Sequence, residues 1–118
     1  MYFSKSEQNA IAYVVEKMLY YGSGSMVETA TAHSLLYKVG YDPLCDSLPD
    51  MIFQDAINAI KPMPLEKKKA VLAILANIMV ADGEIKKEKS QWLNTVTHYC
   101  AAPTMTWDET WEIIDSLD

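Results

Sequence analysis

The feature that most constrains this chain is an apolar run from Ala70 to Ala81, in which Asn77 is the single polar residue. A helix that is apolar on every side has to be surrounded by other helices. The run covers about 12 residues, whereas a membrane-spanning helix needs roughly 18 or more apolar residues. We therefore predict a central buried helix over about residues 64–81 and no membrane insertion.

Helix-start and helix-stop signals divide the rest of the chain. Ser4 and Ser25 each open a Ser-x-x-Glu sequence, which is typical of a helix N-terminus because the two side chains hydrogen-bond reciprocally to the first turn. No stretch alternates apolar and polar residues as a half-buried strand does. The sequence thus predicts an all-α, compact bundle of about six helices in one domain, residues 1–118. Besides 64–81, helices are expected over 4–21, 25–40, 47–60, from the Asp82-Gly83 turn to about 100, and 106–117.

Charge and cysteine usage narrow the function classes. The chain has 10 basic and 16 acidic residues, giving a net charge of −6, and every basic residue is lysine. Arginine is the side chain best suited to bidentate contacts with phosphate and guanine, so its absence argues against a nucleic-acid partner. Cys45 and Cys100 have no metal-ligand spacing, and no signal-like segment precedes the first helix. We expect a cytoplasmic protein with reduced cysteines.

The turn after the central helix, Ala81-Asp82-Gly83-Glu84-Ile85, resembles the corresponding turn of the tellurite-resistance TerB family. The resemblance extends over about residues 69–100 and implies an all-helical, non-enzymatic domain of metal-oxyanion or general stress response. TerB-like domains carry acidic residues on two such turns and have been thought to bind metal through them. The matching earlier turn here is Ser23-Gly24, followed by Glu28, which suggests an internal pseudo-repeat.

The resemblance makes a divalent cation a candidate ligand. The candidate binding residues are Asp82, Gly83, Glu84, Glu88 and Glu28, with Asp82 and Glu88 as the metal ligands. Carboxylate oxygens clustered at a turn between helices suit Ca²⁺ or Mg²⁺. In the alternative interpretation, Asp82-Gly83 only turns the chain, Glu84 and Glu88 favour the positive end of the next helix, and Glu28 completes its capping box.

Two positions depart from the family pattern. Lys86 stands where TerB-like domains have a small polar cap, and Lys89 stands where they have the final Glu. Glu88 comes one place early, which moves it about 100° round the helix. The two lysine clusters, residues 67–69 and Lys86-Lys87 with Lys89, are expected to be separate solvated faces.

The last predicted helix carries a second candidate site. Trp107 and Trp111 are four residues apart and therefore share one face, while acidic residues cover the other faces. Packing of these rings onto the bundle is one interpretation. The other is a docking surface for a protein partner or a second copy, because aromatic anchors ringed by polar groups are common at interfaces.

No motif indicates an enzyme. The sequence has no phosphate-binding glycine loop and no redox pair of cysteines. His98 and Cys100 lie two positions apart and would point about 200° away from each other on a helix, so they do not form a shared site. We expect a buried structural Cys100 and a surface His98. In the helix that carries them, Trp92, Leu93, Val96 and either Tyr99 or Cys100 are also expected to be buried, together with Ile85.

Overall fold

The computed structural model describes residues 1–22, 24–46 and 50–117. Over these ranges the protein is a compact all-helical bundle of six helices without strands, as the sequence predicts. The helices are α1 (Lys5–Tyr21), α2 (Met26–Lys38), α3 (Phe53–Ile60), α4 (Leu65–Val80), α5 (Lys87–Tyr99) and α6 (Trp107–Asp115). None of the helices described is both long and apolar enough to cross a membrane.

The central helix predicted from the apolar run is α4. It contacts α1, α2, α5 and α6, whereas α3 packs on α1. Nine α4 residues are buried, from Ala70 to Met79, and Asn77 is half-buried at the one polar position of the run. These residues pack into the hydrophobic core against the surrounding helices.

The helix N-termini follow the capping signals with one difference. Ser4 with Glu7, and Thr106 with Glu109, form complete capping boxes. The Ser25 hydroxyl also accepts a hydrogen bond from the Glu28 N–H, at 3.1 Å. The Glu28 side chain does not return to the cap, because its carboxylate is bound elsewhere in the fold. The expectation that Glu28 completes the second capping box is therefore wrong.

Three boundary predictions need correction. The third helix begins at Phe53, so Asp50 lies outside it, and residues 47–49 of that predicted start lie outside the described ranges. Pro64 is the N-cap of α4 rather than its first residue. Ile85 precedes α5 and is 58% exposed, because the Asp82-Gly83 turn continues as extended chain to Lys86. Trp92 and Leu93 are partly buried, Val96 and Cys100 are fully buried, and Tyr99 is exposed.

The lysines at the start of α4 are paired rather than free on a solvated face. Lys67 contacts Glu7 at 3.0 Å, and Lys69 contacts Glu109 at 3.3 Å. Lys68 donates to the Cys100 carbonyl at 3.0 Å, which ties the end of α5 to α4. Burial raises the pKa of the Glu7 carboxyl, but hydrogen bonds from the Ser4 N–H and from Lys67 outweigh it, and the pKa is lower than its ordinary value.

Candidate functional site

The first turn of α2 and the turn between α4 and α5 meet at a buried lysine. The Lys89 ammonium lies 2.9 Å from Glu28 Oε2, 3.4 Å from Asp82 Oδ1 and 2.9 Å from the Glu84 carbonyl oxygen. The side chains of Lys89 and Glu28 are fully buried, and that of Asp82 is 10% exposed. We call this group the turn cluster.

Local sequence explains how these groups reach one another. Glu28 is the third residue of α2 and Lys89 is the third residue of α5, so each projects from the first turn of its helix. Gly83 has a φ of 78°, which glycine adopts without steric cost. Asp82 Oδ1 accepts a hydrogen bond from the Glu84 N–H at 3.1 Å, which closes the turn. The turn geometry thus directs both the Asp82 carboxylate and the Glu84 carbonyl toward the lysine.

A glycine at the end of α1 makes room for the buried carboxylate. A Cβ added at Gly22 would collide with the carboxylate of Glu28. The φ of Gly22 is −87°, so the position demands glycine for space and not for backbone conformation. The backbone at Gly22 therefore lies directly against the Glu28 carboxylate and covers it on the α1 side.

The turn cluster contains more negative than positive charge. Lys89 uses its three ammonium protons on Glu28, Asp82 and the Glu84 carbonyl, which satisfies all the donors of the ammonium group. Two carboxylates thus share one positive charge. Glu28 Oε1 is buried and has no hydrogen-bond partner within the described ranges. The Glu28 carboxylate therefore depends on this lysine as its partner in the interior, because an isolated buried charge is very costly.

The structure brings together only part of the predicted site. Glu28 and Asp82 meet, although they are far apart in sequence, whereas the side chain of Glu84 is exposed and contributes only through its backbone. Gly83 shapes the turn. Glu88 lies outside the turn cluster and lines a recess formed with α1.

Lys89 is the member of the turn cluster that the sequence did not predict, because it was assigned to a solvated face and is instead fully buried. It follows Glu88, and one step along a helix turns the side chain by about 100°, so consecutive residues of α5 face the exterior and the interior. The signal available in the sequence was the departure at this position from the predicted TerB resemblance, which would have glutamate there.

The residues of the turn cluster do not fit a divalent cation. In the ranges that the structure describes, no three His, Cys, Asp or Glu side chains lie close enough together to hold a metal ion. The position between Glu28 and Asp82, where such an ion would have its carboxylate ligands, is taken by the ammonium of Lys89. An ammonium cannot serve as a metal ligand while it is protonated.

The tryptophans of α6 form a separate surface. Trp107 and Trp111 are 45% and 43% exposed, and their rings stack with centroids 5.9 Å apart. Beside Trp107 is a cavity of about 170 Å³ between α4, α5 and α6, whose floor includes Leu72 and Ala76 of α4. The inward face of α6 is provided instead by Thr110, Ile113 and Ile114, and Leu117 just after the helix is also buried. The two rings are thus not needed to fill the core.

The histidine and the cysteine near the end of α5 are placed as expected. His98 is exposed and stacks edge-on with Tyr99, while Cys100 is 1% exposed. Burial raises the pKa of the Cys100 thiol to about 11, against the lowering effect of Lys68 and Lys61. A thiol of this kind is largely protonated at neutral pH and is a poor nucleophile.

Comparison with known proteins finds a similar fold but assigns no activity to the chain. No protein-family model matches the chain, and no curated protein matches it. The structural class is a small all-helical bundle. The chain is similar to a protein of unknown function from Porphyromonas gingivalis, known from its crystal structure, with a TM-score of 0.81 and 26% sequence identity. The similarity covers 98% of this chain and 92% of that chain. The TerB resemblance stays a prediction.

Proposed function

We propose that the protein is a non-enzymatic, TerB-like stress-response domain that acts by docking a protein partner through α6 rather than by binding a metal ion. The observation that carries this proposal is the exposed, stacked pair of Trp107 and Trp111, with a cavity of mixed apolar and polar lining beside Trp107. Tryptophan is among the side chains most enriched at the energetic centres of protein interfaces. Large exposed aromatic groups on a surface helix therefore support a docking role.

The charge around the two rings indicates the chemistry of the partner. The outward positions of α6 next to the tryptophans are Asp108, Glu112 and Asp115, all exposed, and α6 contains no basic residue. An acidic rim favours a partner of opposite charge and speeds its encounter. The occupant that we propose is a partner segment with an apolar anchor for the cavity and lysine or arginine residues for the rim.

The proposal is tested by affinity capture with the whole chain, comparing wild type and Trp111→Ala. The matched control is Tyr37→Ala, which removes another exposed aromatic ring, 69% exposed, from α2. We expect a defined partner to be lost with Trp111→Ala and kept with Tyr37→Ala, and its binding to weaken with salt and with Glu112→Gln. Equal capture by both variants would refute docking through α6. Concentration-dependent dimerisation abolished by Trp111→Ala would instead identify the partner as a second copy.

Cation binding at the Asp82-Gly83 turn is the competing function, because the resemblance to TerB implies it and because Asp82 and Glu28 converge there. The buried ammonium of Lys89 counts against it. Calorimetric titration of the metal-free protein with Ca²⁺, Mg²⁺, Mn²⁺ and Zn²⁺, repeated on Asp82→Ala, separates the two functions. Our proposal expects no tight binding that depends on Asp82. Tight binding lost in Asp82→Ala would make metal sensing the leading function.

A further inference from the structure

A recess between the end of α1 and the outer face of α5 lies next to the turn cluster. Its volume is about 200 Å³, and its lining residues are Tyr21, Glu88, Gln91, Trp92 and Thr95. Tyr21 adjoins Gly22, and Glu88 adjoins Lys89, so the recess lies outside the turns that the buried lysine joins. From its aromatic and acidic lining we propose that this recess binds a small quaternary ammonium cation of the choline type.

The two aromatic rings form a wedge rather than a stack. The centroids of Tyr21 and Trp92 are 5.9 Å apart, and their planes are inclined by 51°. A cation is attracted to the face of tryptophan or tyrosine when it lies within about 6 Å of the ring centroid. At this separation, one cation can satisfy that distance to both rings. Quaternary ammonium ions suit such a site because their methyl groups also gain from apolar contact.

The walls of the recess are fixed by contacts behind them. The Trp92 indole N–H donates to the Val14 carbonyl at 3.0 Å, and Phe53 packs against the Trp92 ring with a centroid distance of 5.6 Å. The Tyr20 ring lies edge-on to the Tyr21 ring, with a centroid distance of 5.5 Å. Binding would therefore need little ordering of the Trp92 ring, which lowers its entropic cost.

One exposed carboxylate gives the recess its charge preference. Glu88 lies four residues before Trp92 and hence on the same face of α5. Its carboxylate makes no ion pair with any of the lysines in the described ranges. By contrast, the neighbouring ring of Tyr20 already has the Lys17 ammonium 5.9 Å from its centroid. Glu88 is thus available to a cation supplied from outside.

The same lining disfavours other ligand classes. A single carboxylate is too few ligands for Ca²⁺ or Mg²⁺, which take six or more oxygens. An anion would meet Glu88 and a protein whose net charge is −6. A zwitterion such as betaine adds a carboxylate next to its ammonium group, so we expect it to bind more weakly than choline.

The test is titration of the ¹⁵N-labelled protein with tetramethylammonium and choline chloride, followed by the three indole N–H resonances. The Trp92 resonance should shift and saturate at millimolar concentration, while those of Trp107 and Trp111 serve as internal controls. The neutral isostere 3,3-dimethylbutanol should bind at least tenfold more weakly, since it lacks the charge. Equal shifts at all three indoles, or equal binding of the isostere, would overturn the proposal.

Surface variants separate the site from general charge effects without a threat to folding. Glu88→Gln should raise the dissociation constant for tetramethylammonium three- to tenfold. Glu84→Gln removes another exposed acid, from the neighbouring turn, and should leave this dissociation constant unchanged. An equal effect of the two variants would also overturn the proposal. Because this site is separate from α6, Trp111→Ala should not alter ammonium binding, and failure here leaves the docking proposal standing.

Discussion

Replacement of Lys89 by methionine is the perturbation to which the fold should respond most sharply. The change keeps most of the side-chain volume and removes the one positive charge of the turn cluster. Glu28 would remain fully buried, with neither carboxylate oxygen paired to a group in the described ranges. Asp82 is partly exposed and retains the Glu84 N–H. The loss of stability should therefore come mainly from Glu28.

The expected loss is large for a single substitution. Removing one partner of a buried ion pair costs about 3–5 kcal/mol, because a charge is left uncompensated in the interior. Domains of this kind have a total stability of about 5–15 kcal/mol. At about 3–5 °C per kcal/mol for a chain of this length, the midpoint of thermal unfolding should fall by about 10–20 °C.

The assay is urea denaturation at pH 7 followed by helical circular dichroism. The matched control is Lys69→Met, which breaks the pair with Glu109, where the side chains are 30% and 44% exposed. Exposed pairs are worth about 0–1 kcal/mol, so this variant should stay close to wild type. Adding Glu28→Gln to Lys89→Met should recover part of the loss, since the uncompensated charge is then gone. A loss below about 1 kcal/mol for Lys89→Met would refute the reasoning, because buried pairs cost more than this when broken.

Three further predictions concern space, reactivity and acid stability. Gly22→Ala should destabilise the protein by about 1–3 kcal/mol in the same denaturation assay, because the added Cβ collides with the carboxylate of Glu28; an unchanged midpoint would contradict this. Iodoacetamide should alkylate exposed Cys45 before buried Cys100, as followed by mass spectrometry, since a pKa of about 11 leaves about one Cys100 thiol in a thousand ionised at pH 8. The pKa of Glu7 is lower in the folded protein than its ordinary value of 4.5. Its contribution to the free energy of unfolding is therefore fully present above pH 4.5 and is lost as the pH falls through the folded-state pKa. Glu7→Gln should therefore be less stable than wild type at pH 7, with the difference shrinking below that pH window; a constant difference would contradict the assignment.

Short-range patterns accounted for the helices. The apolar run predicted α4, and the capping signals at Ser4 and Ser25 predicted the starts of α1 and α2. These signals work because helical period and first-turn hydrogen bonds are set by residues three or four apart. The predicted boundary was wrong at the start of α3 and at Ile85, and at Ile85 the turn at Asp82-Gly83 delays the helix to Lys87.

The partners of the charged residues could not be predicted from short-range sequence patterns. The Ser-x-x-Glu pattern at Ser25 predicted that Glu28 would return to its own cap, and the run of lysines predicted solvent around Lys89. In the fold the two side chains meet across 61 positions of sequence. Burial of either charge alone would be costly, so each is stable inside only because the other is there.

The division between local and tertiary information has a physical reason. Helix content, helix order and the position of the buried helix follow from residue periodicity, which depends on near neighbours in sequence. The meeting of the two turns, the charge state of their interior and the wedge of Tyr21 with Trp92 depend on how helices pack against α4. Packing angles and distances are set by the sum of many side-chain contacts between segments far apart in the chain. Only the tertiary structure could therefore put Lys89 between Glu28 and Asp82.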